Sequence, residues 1–432
     1  MIARVLDRLA ARVTAADTVV KVDDTLTLAI SAEGDSRVTG SRSRTSHLRV
    51  AREGRVGYAS TSGDDADELV ERAMLSAASG GELDLLLPAP APLPAVASRT
   101  PPAAAADVAT LDGLARALFE RLQRSGRRVE VWAERAAGSV QVANTRGVHA
   151  GYHATLAGVG AVVESIGAGW APPCRVRTVA AALPELAELE SLVSQVELRL
   201  LPPLLDSLTL PASPPVCLAP AAVATFLRPL RAALSGYEAW LGNSPLRGRL
   251  GEKLFDEKLS LLDDPLAAIR PGSRPLDDDG VISRRVTLIE RGRLLSFLAD
   301  LEVGARALVP STGHAWRTPY AAPRVGFTNL VVQPGVESRA TLLTMMGRGV
   351  LVEDLEWGGG PNPLSGTLVL RAPWAYLVEG GVVRGRLDGM LLGGNVFKAL
   401  GQLAALGNDA TWIGAVCAPS LLIEGLTVAL KP

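Results

Sequence analysis

The sequence has few of the residues that most often bind metals or form disulfides. It contains three cysteines and four histidines in 432 residues. These are Cys174, Cys217, Cys417, His47, His149, His153 and His314. The cysteines are far apart and form no C-x-x-C motif, which argues against a disulfide framework and a thiolate zinc knot. We therefore expect buried apolar thiols and a reducing compartment.

The sequence also lacks an excess of either charge, and it contains no long apolar run. The 44 Lys and Arg residues balance 45 Asp and Glu residues, which removes the electrostatic argument for nucleic acid as a main partner. The arginine-rich stretch 36–55 is interpreted as a solvated strand-and-turn face. No apolar run approaches the ~18–20 residues of a membrane span, and residues 1–13 lack the apolar core of a signal peptide. We expect a cytoplasmic protein with no nucleic-acid or membrane partner.

Apolar residues, in contrast, make up 48% of the chain, and charged residues make up 21%. Such a composition predicts packed cores, and the length suits two domains. We predict an α+β fold in which residues 1–205 form an N-terminal domain with a mixed sheet and helices. Residues 206–432 are predicted to form a domain with a large, mostly antiparallel sheet. The Pro/Ala-rich stretch 88–106 is expected to be an extended connector within the first domain.

Hydrophobic periodicity predicts several helices with short strands between them. The predicted helices cover residues 2–13, 64–78, 111–123, 183–201 and 221–235. Short strands joined by glycine-containing turns are predicted at 128–134, 139–143, 147–152 and 155–164.

Several ordered stretches carry information beyond propensity. They include Leu254–Pro265 (LFDEKLSLLDDP), Ser311–Gly335 (STGHAWRTPYAAPRVGFTNLVVQPG) and Gly394–Asp409 (GNVFKALGQLAALGND), with Glu53–Ser60 (EGRVGYAS) in the first half. Together they resemble the TldD/PmbA family of peptidase components, also named for a proposed modulation of DNA gyrase. The likeness covers nearly the whole chain.

The resemblance implies one of two paralogous types. The TldD type holds zinc through an H-E-x-x-x-H helix and a later cysteine, whereas the PmbA type, also called TldE, lacks that set and completes the substrate channel. Residues 228–233 (RPLRAA) stand at the motif's place. Arginine has no free lone pair for a metal, and Pro229 would interrupt a helix. His149 and His153 would lie about 13 Å apart on a strand, too far for shared ligation, and Cys417 lacks the Cys-Gly-Lys-like surroundings of the ligand cysteine.

The resemblance therefore predicts a chain with no metal site and no catalytic residue of its own. Its implied role is that of the non-metal subunit in a heterodimeric zinc peptidase acting on small unfolded peptides, with a TldD-like partner bearing the zinc. The alternative is a non-enzymatic, homodimeric peptide-binding or regulatory protein. Candidate peptide-binding residues are His314, Trp316, Arg317, Tyr320, Arg324 and Asn329, although these could equally brace a loop.

The acidic triplet Asp277–Asp279 leaves another alternative open. Two carboxylates could act as an acid/base pair in an independent hydrolase or bind a hard cation. The favoured interpretation is a turn, because Asp side chains accept hydrogen bonds from nearby backbone and Gly280 can take positive φ.

Overall fold

The computed structural model describes residues 2–9, 12–166, 172–200, 210, 213–319, 321–357 and 362–430. In the first half, six strands form one sheet in the order β3-β2-β1-β4-β5-β6. They are β1 (Ala15–Ile30), β2 (Ser36–Arg52), β3 (Arg55–Thr61), β4 (Arg127–Asn144), β5 (His149–Ser165) and β6 (Cys174–Ala180). All of their recorded pairings are antiparallel.

Helices pack on this sheet. They are α1 (Ile2–Leu9), α2 (Ala66–Ala78), α3 (Pro101–Ala105), α4 (Val108–Leu122) and α5 (Leu186–Arg199). The sequence explains where α2 begins, because the Asp65 side chain accepts hydrogen bonds from the backbone N–H groups of Asp67 and Glu68. Its buried residues, among them Leu69 and Ala73, recur at helical spacing and pack against β2 and β3.

The second half contains short strands in three sheets. They are β7 (Val216–Leu218), β8 (Leu261–Asp263), β9 (Val286–Glu290), β10 (Arg293–Leu294), β11 (Ala315–Trp316), β12 (Arg324–Val325), β13 (Leu330–Val332), β14 (Arg348–Glu356), β15 (Thr367–Glu379), β16 (Val382–Leu387), β17 (Met390–Asn395), β18 (Leu403–Leu406), β19 (Thr411–Ile413), β20 (Val416–Ala418), β21 (Leu421–Ile423) and β22 (Thr427–Leu430). One sheet has the order β10-β9-β8-β13-β20-β19, a second has β18-β21-β7-β14-β15-β17-β22 with β16 beside β15, and β11 pairs with β12.

The described residues of this half also form six short helices and one 3-10 turn. They are α6 (Pro220–Phe226), α7 (Arg228–Ala233), α8 (Gly236–Leu241), α9 (Leu301–Ala307), α10 (Arg339–Met346), α11 (Val396–Leu400) and the turn Pro363–Ser365. None of the helices in the described ranges combines the length and apolar content that a membrane crossing requires.

The α+β class and the large, mostly antiparallel C-terminal sheet are confirmed. The mixed pairing expected in the N-terminal sheet is instead found in the C-terminal half, where β7 runs parallel to β14 and β13 parallel to β20. In the first half, β1 and β2, β2 and β3, and β4 and β5 are neighbours joined by short connections, which only antiparallel strands allow. The predicted boundary between residues 205 and 206 falls outside the described residues, so the domain limits stay a prediction.

Other differences concern element lengths. The four strands predicted between 128 and 164 are two long ones, β4 and β5, because Gly138 and Gly151 sit within continuous pairing instead of ending it. The connector 88–106 is mostly without regular structure, as expected, but it contains α3. Prolines at the first turn of a helix cost no hydrogen bond, which explains why Pro101 and Pro102 permit α3.

Hydrophobic packing crosses from one half to the other. One buried cluster joins Leu118 of α4 and Val131 of β4 to Leu351 of β14 and Trp374 of β15. The Tyr376 hydroxyl also donates a hydrogen bond of 3.0 Å to the backbone carbonyl of Leu198. The two halves therefore share a continuous apolar core, which fixes the second half against the N-terminal sheet.

Candidate functional site

A cavity of about 650 Å³ opens beside α7 in the second half of the chain. Its wall comes from α7, α8, the start of α9 and the segment 322–327 that contains β12. The charged side chains of this wall are Arg228, Arg231, Glu238, Asp300, Glu302 and Arg324, and Phe327 contributes an aromatic ring.

The local sequence explains how α7 presents its arginines. Pro220 and Pro229 lie in the first turns of α6 and α7, so two short helices replace the single helix predicted for 221–235. Leu230 of α7 is buried in the C-terminal core. Arg228 and Arg231, three residues apart, share the opposite side and line the cavity.

Among the described residues no carboxylate forms an ion pair with a cavity arginine, although the charge of Asp263 acts on Arg231. No ion pair involves Arg228, Arg231 or Arg324 within the described ranges. The Arg231 guanidinium lies 5.2 Å from the ring centre of Phe327, and that of Arg228 lies 5.7 Å from the ring of Trp357. The Nε atom of Arg231 is buried without a hydrogen-bond partner, and burial lowers the pKa of this guanidinium.

The cavity carboxylates, in contrast, have hydrogen-bond or ion-pair partners. Glu302 accepts a 2.6 Å hydrogen bond from the Tyr58 hydroxyl and forms a 3.1 Å ion pair with Arg306. Glu238 accepts a 2.9 Å hydrogen bond from the Asn243 side chain.

The third carboxylate, Asp300, caps α9 by accepting a 2.8 Å hydrogen bond from the backbone N–H of Val303. Burial, with a smaller contribution from the charge of Asp279, raises the pKa of Asp300 to about 6. Three arginines in the cavity wall therefore face two carboxylates, Glu238 and Asp300, that have no ion pair among the described residues.

Two of the residues predicted from sequence to bind peptide are buried, and their side chains hydrogen-bond to neighbouring loops. His314 hydrogen-bonds through Nε2 to Asp263 at 3.0 Å and through Nδ1 to the Thr312 carbonyl at 3.0 Å. Asn329 accepts from the backbone N–H of Gly272 and donates to the carbonyl of Asp264. These contacts hold the loops around β8 and β13 and do not face the cavity beside α7.

The other four predicted residues are divided among different surroundings. Trp316 is half-buried, with the Arg274 guanidinium 4.2 Å and the Lys21 ammonium 5.8 Å from its ring centre. Arg317 is buried in an ion network, whereas Arg324 is exposed and lines the cavity. Tyr320 lies outside the described residues. Peptide binding by these residues stays a prediction, and the geometry places only Arg324 of the five described ones in the cavity wall.

The ion network joins the N-terminal sheet to the second half. Arg49 of β2 pairs with Asp17 of β1 and, at 3.0 Å, with Asp279. Arg317 pairs with Asp17 at 2.8 Å and with Asp279 at 2.9 Å. All four side chains are no more than 2% exposed. We call Asp17, Arg49, Asp279 and Arg317 the bridging cluster.

The sequence interpretation of the acidic triplet captured only part of this arrangement. Asp277 does form the turn, since its Oδ1 accepts from the N–H groups of Asp279 and Val281 and Gly280 has a φ of 80°. The turn also aims Asp278 and Asp279 at cations of other segments. No sequence signal links Asp17 to Arg317, because they are 300 residues apart.

Comparison with known proteins decides the family. A model described as the PmbA/TldA metallopeptidase C-terminal domain matches residues 211–430, just over half of the chain, and one for domain 1 matches residues 23–77. The chain belongs to the PmbA/TldD family. It is 27% identical over 199 residues to a protein of Haemophilus influenzae named as a metalloprotease PmbA homolog, covering 46% of this chain and 42% of that protein. The first curated relatives are matched over less than half of their own length.

Solved structures show the same fold over the whole chain. TldE from Thermococcus kodakarensis is similar with a TM-score of 0.86 and 21% identity, covering 99% of this chain and 100% of that one. A protein of Thermotoga maritima, named as a proposed modulator of a DNA gyrase, gives the same TM-score and identity with 99% coverage of both chains. At this identity the likeness concerns the fold alone.

The family description names a metallopeptidase, but the residues beside α7 do not fit a metal. The side chains that α7 turns to the cavity are arginines, which cannot ligate a cation. Across the ranges that the structure describes, no three His, Cys, Asp or Glu side chains are grouped as a metal site would need. We derive no step through a metal in this chain.

The three cysteines and the histidine pair predicted on a strand do not line the α7 cavity. Cys174 and Cys217 are buried, which raises their thiol pKa values to about 11 and about 12. Cys417 is half-buried and its pKa is also raised by burial. His149 and His153 both lie on β5, where the strand predicted at 147–152 continues through residue 153 without the expected interruption.

Proposed function

We propose that this chain is the metal-free, TldE-like subunit of a heterodimeric zinc-dependent peptidase that degrades or matures small unfolded peptides in the cytoplasm. The supporting observation is that Arg228 and Arg231 line the cavity from α7, the segment that the family resemblance matches to the H-E-x-x-x-H helix of the TldD type. Membership of the PmbA/TldD family and the similarity in fold to a TldE agree with this assignment.

The chemistry would belong to the partner subunit, whose zinc would activate the water that attacks the peptide bond. This chain would contribute substrate contacts and a wall of the channel. A cavity of about 650 Å³ has the size of a small-ligand site and accepts a few residues of extended peptide. Folded proteins would be excluded by size.

The test is reconstitution with a zinc-bearing homologue from the same source. The two purified chains should co-elute in size-exclusion chromatography, and the mixture should cleave an unfolded peptide that neither chain cleaves alone. Cleavage should disappear after zinc chelation and in a mixture whose partner has the motif glutamate replaced by glutamine. Absence of both association and altered cleavage would overturn the proposal.

The same experiment separates the alternative function. A chain that stays a homodimer by light scattering and binds peptide without any gain of cleavage would be a peptide-binding or regulatory protein. A chain that cleaves peptide alone would be an independent hydrolase. An Asp277–Asp279 triple alanine variant would then show whether these acids are involved.

A further inference from the structure

Arg231, half-buried in the wall of the α7 cavity, lacks the partners that a cation withdrawn from water normally has. Transferring a charged side chain out of water is unfavourable unless counter-charges and hydrogen bonds compensate. Arg231 has an aromatic neighbour in Phe327, but its buried Nε has no acceptor and it has no ion pair among the described residues. A contact with an aromatic ring recovers only a part of the lost solvation. An anionic ligand would supply what is missing.

The carboxylates of the same cavity do not fill this role. Glu302 is held by Tyr58 and Arg306, and Glu238 by Asn243. Asp300 is committed to the first turn of α9. The arginines come from α7 and the β12 segment, whereas the carboxylates come from α8 and the start of α9. The unpaired positive charge is therefore concentrated on one part of the wall.

The rest of the wall indicates an organic anion. Val303, Val325 and Phe327 provide apolar surface beside the arginines. A guanidinium can donate two parallel hydrogen bonds to a carboxylate, and this geometry favours Arg over Lys at such sites.

The backbone at the cavity suits an extended chain. The segment 324–325 forms β12, which pairs with β11 on one side and with no second strand in the part of the chain that the structure describes. A peptide in extended conformation can bind to such a free edge through its own backbone.

We propose that the α7 cavity binds the carboxylate of an extended peptide, with the half-buried Arg231 as the main cation and the exposed Arg228 and Arg324 at its rim. The carboxylate is either the C-terminal group or an Asp or Glu side chain. This inference rests on the proposed peptidase role, since it specifies which part of a peptide this subunit holds.

Calorimetric titration of the full chain tests the proposal with three acetylated peptides. The first is Leu-Ala-Leu-Ala with a free C-terminus, the second is the same peptide as an amide, and the third is Leu-Glu-Leu-Ala as an amide. We expect at least one carboxylate-bearing peptide to bind about tenfold or more tightly than the uncharged amide, as a charge-assisted hydrogen bond allows. Preference for the first peptide identifies the C-terminus as the ligand, and preference for the third identifies an acidic side chain.

Variants assign the effect to the cavity. Arg231→Met should remove the preference for a carboxylate, and Arg231→Lys should retain part of it. Arg4→Met, which removes an exposed arginine of α1, is the matched control and should bind like the wild type. Equal affinity for all three peptides, no detectable binding, or an unchanged preference in Arg231→Met would overturn the inference.

The outcome is independent of the reconstitution experiment. If the chain assembles with a zinc-bearing partner and supports cleavage but shows no carboxylate preference, this inference fails and the proposed function stands. If the preference is present but no partner changes cleavage, the cavity assignment stands and the peptidase role fails.

Discussion

The bridging cluster and the α7 cavity both contain arginines with buried atoms, but their surroundings are opposite. In the bridging cluster, Arg49 and Arg317 share Asp17 and Asp279 at distances of 2.8–3.0 Å for three of the pairs. In the cavity, Arg231 has no carboxylate partner among the described residues. Nη1 of Arg49 and Nε of Arg317 lack hydrogen-bond partners, as Nε of Arg231 does, so the two regions differ in their ion pairs. Arginines that share two buried carboxylates fix two parts of the fold, whereas an arginine without an ion pair is available to a ligand. The comparison separates residues that stabilise the molecule from residues that could serve its function.

Breaking the bridging cluster should have the largest effect. In Arg317→Met, Asp17 and Asp279 lose one of their two shared cations while remaining out of water. Removing one partner of a buried ion pair costs about 3–5 kcal/mol. We expect a loss of this size in the free energy of unfolding, measured by urea denaturation.

Arg324→Met is the matched control for that experiment, because it removes an exposed arginine from the cavity. Exposed substitutions usually change stability by less than about 0.5 kcal/mol. Equal losses in the two variants would show that the bridging cluster contributes no more to stability than the cavity arginine does.

A substitution at the edge of the bridging cluster should lower the free energy of unfolding by a smaller amount. Lys21 donates to Asp278 at 2.6 Å and to the Arg317 carbonyl at 2.9 Å, and its side chain remains 18% exposed. Because water can reach the site, Lys21→Met should cost about 1–3 kcal/mol in the same measurement. A loss as large as that of Arg317→Met would mean that the edge and the centre of the network do not differ.

The fold was largely predictable from sequence, because helix periodicity and strand propensity are local. The helical periodicity at 64–78 and 111–123 gave correct element types for α2 and α4. Lengths were harder to predict. Gly138 and Gly151 suggest turns, yet pairing with neighbouring strands keeps β4 and β5 continuous. Tertiary pairing overrides the local preference of glycine.

The candidate site was predictable only in part. The α7 segment was singled out because arginines replace a ligand motif, and that segment does line the cavity. Burial of His314 and Asn329 could not be anticipated, since polar residues become buried only where the fold supplies partners such as Asp263. The bridging cluster likewise depends on contacts between residues that are distant in sequence.

The charges of the bridging cluster should also affect how the stability of the protein depends on pH. His47 of β2 is buried, and burial, followed by the charges of Arg317 and Lys21, lowers its pKa to about 4, while Asp278 acts in the opposite sense. Between about pH 6.5 and pH 4 the unfolded chain binds a proton at His47 and the folded chain does not. This contribution to stability is therefore lost as the pH falls through that window.

Thermal unfolding at pH 7 and pH 5 measures the effect. His47→Leu should show a smaller fall in Tm than the wild type, because it lacks the titrating group. His153→Leu, which removes an exposed histidine of β5, is the control. Identical pH dependence in wild type and His47→Leu would contradict the assigned cause.

The smallest effect on stability is expected at Arg231. Its guanidinium is partly withdrawn from water without an ion-pair partner in the described ranges, so replacing it with the apolar Met removes a desolvated charge and breaks no ion pair. The charge of Asp263 acts on this guanidinium less than burial does, and Asp263 keeps its hydrogen bonds from the Thr328 N–H in the variant. Arg231→Met should change the free energy of unfolding by no more than about 0.5 kcal/mol, or raise it. Urea denaturation beside Arg317→Met provides the measurement, and circular dichroism checks that the fold is retained. A loss of several kcal/mol would place Arg231 with the bridging cluster as a structural residue and remove the contrast between the two regions.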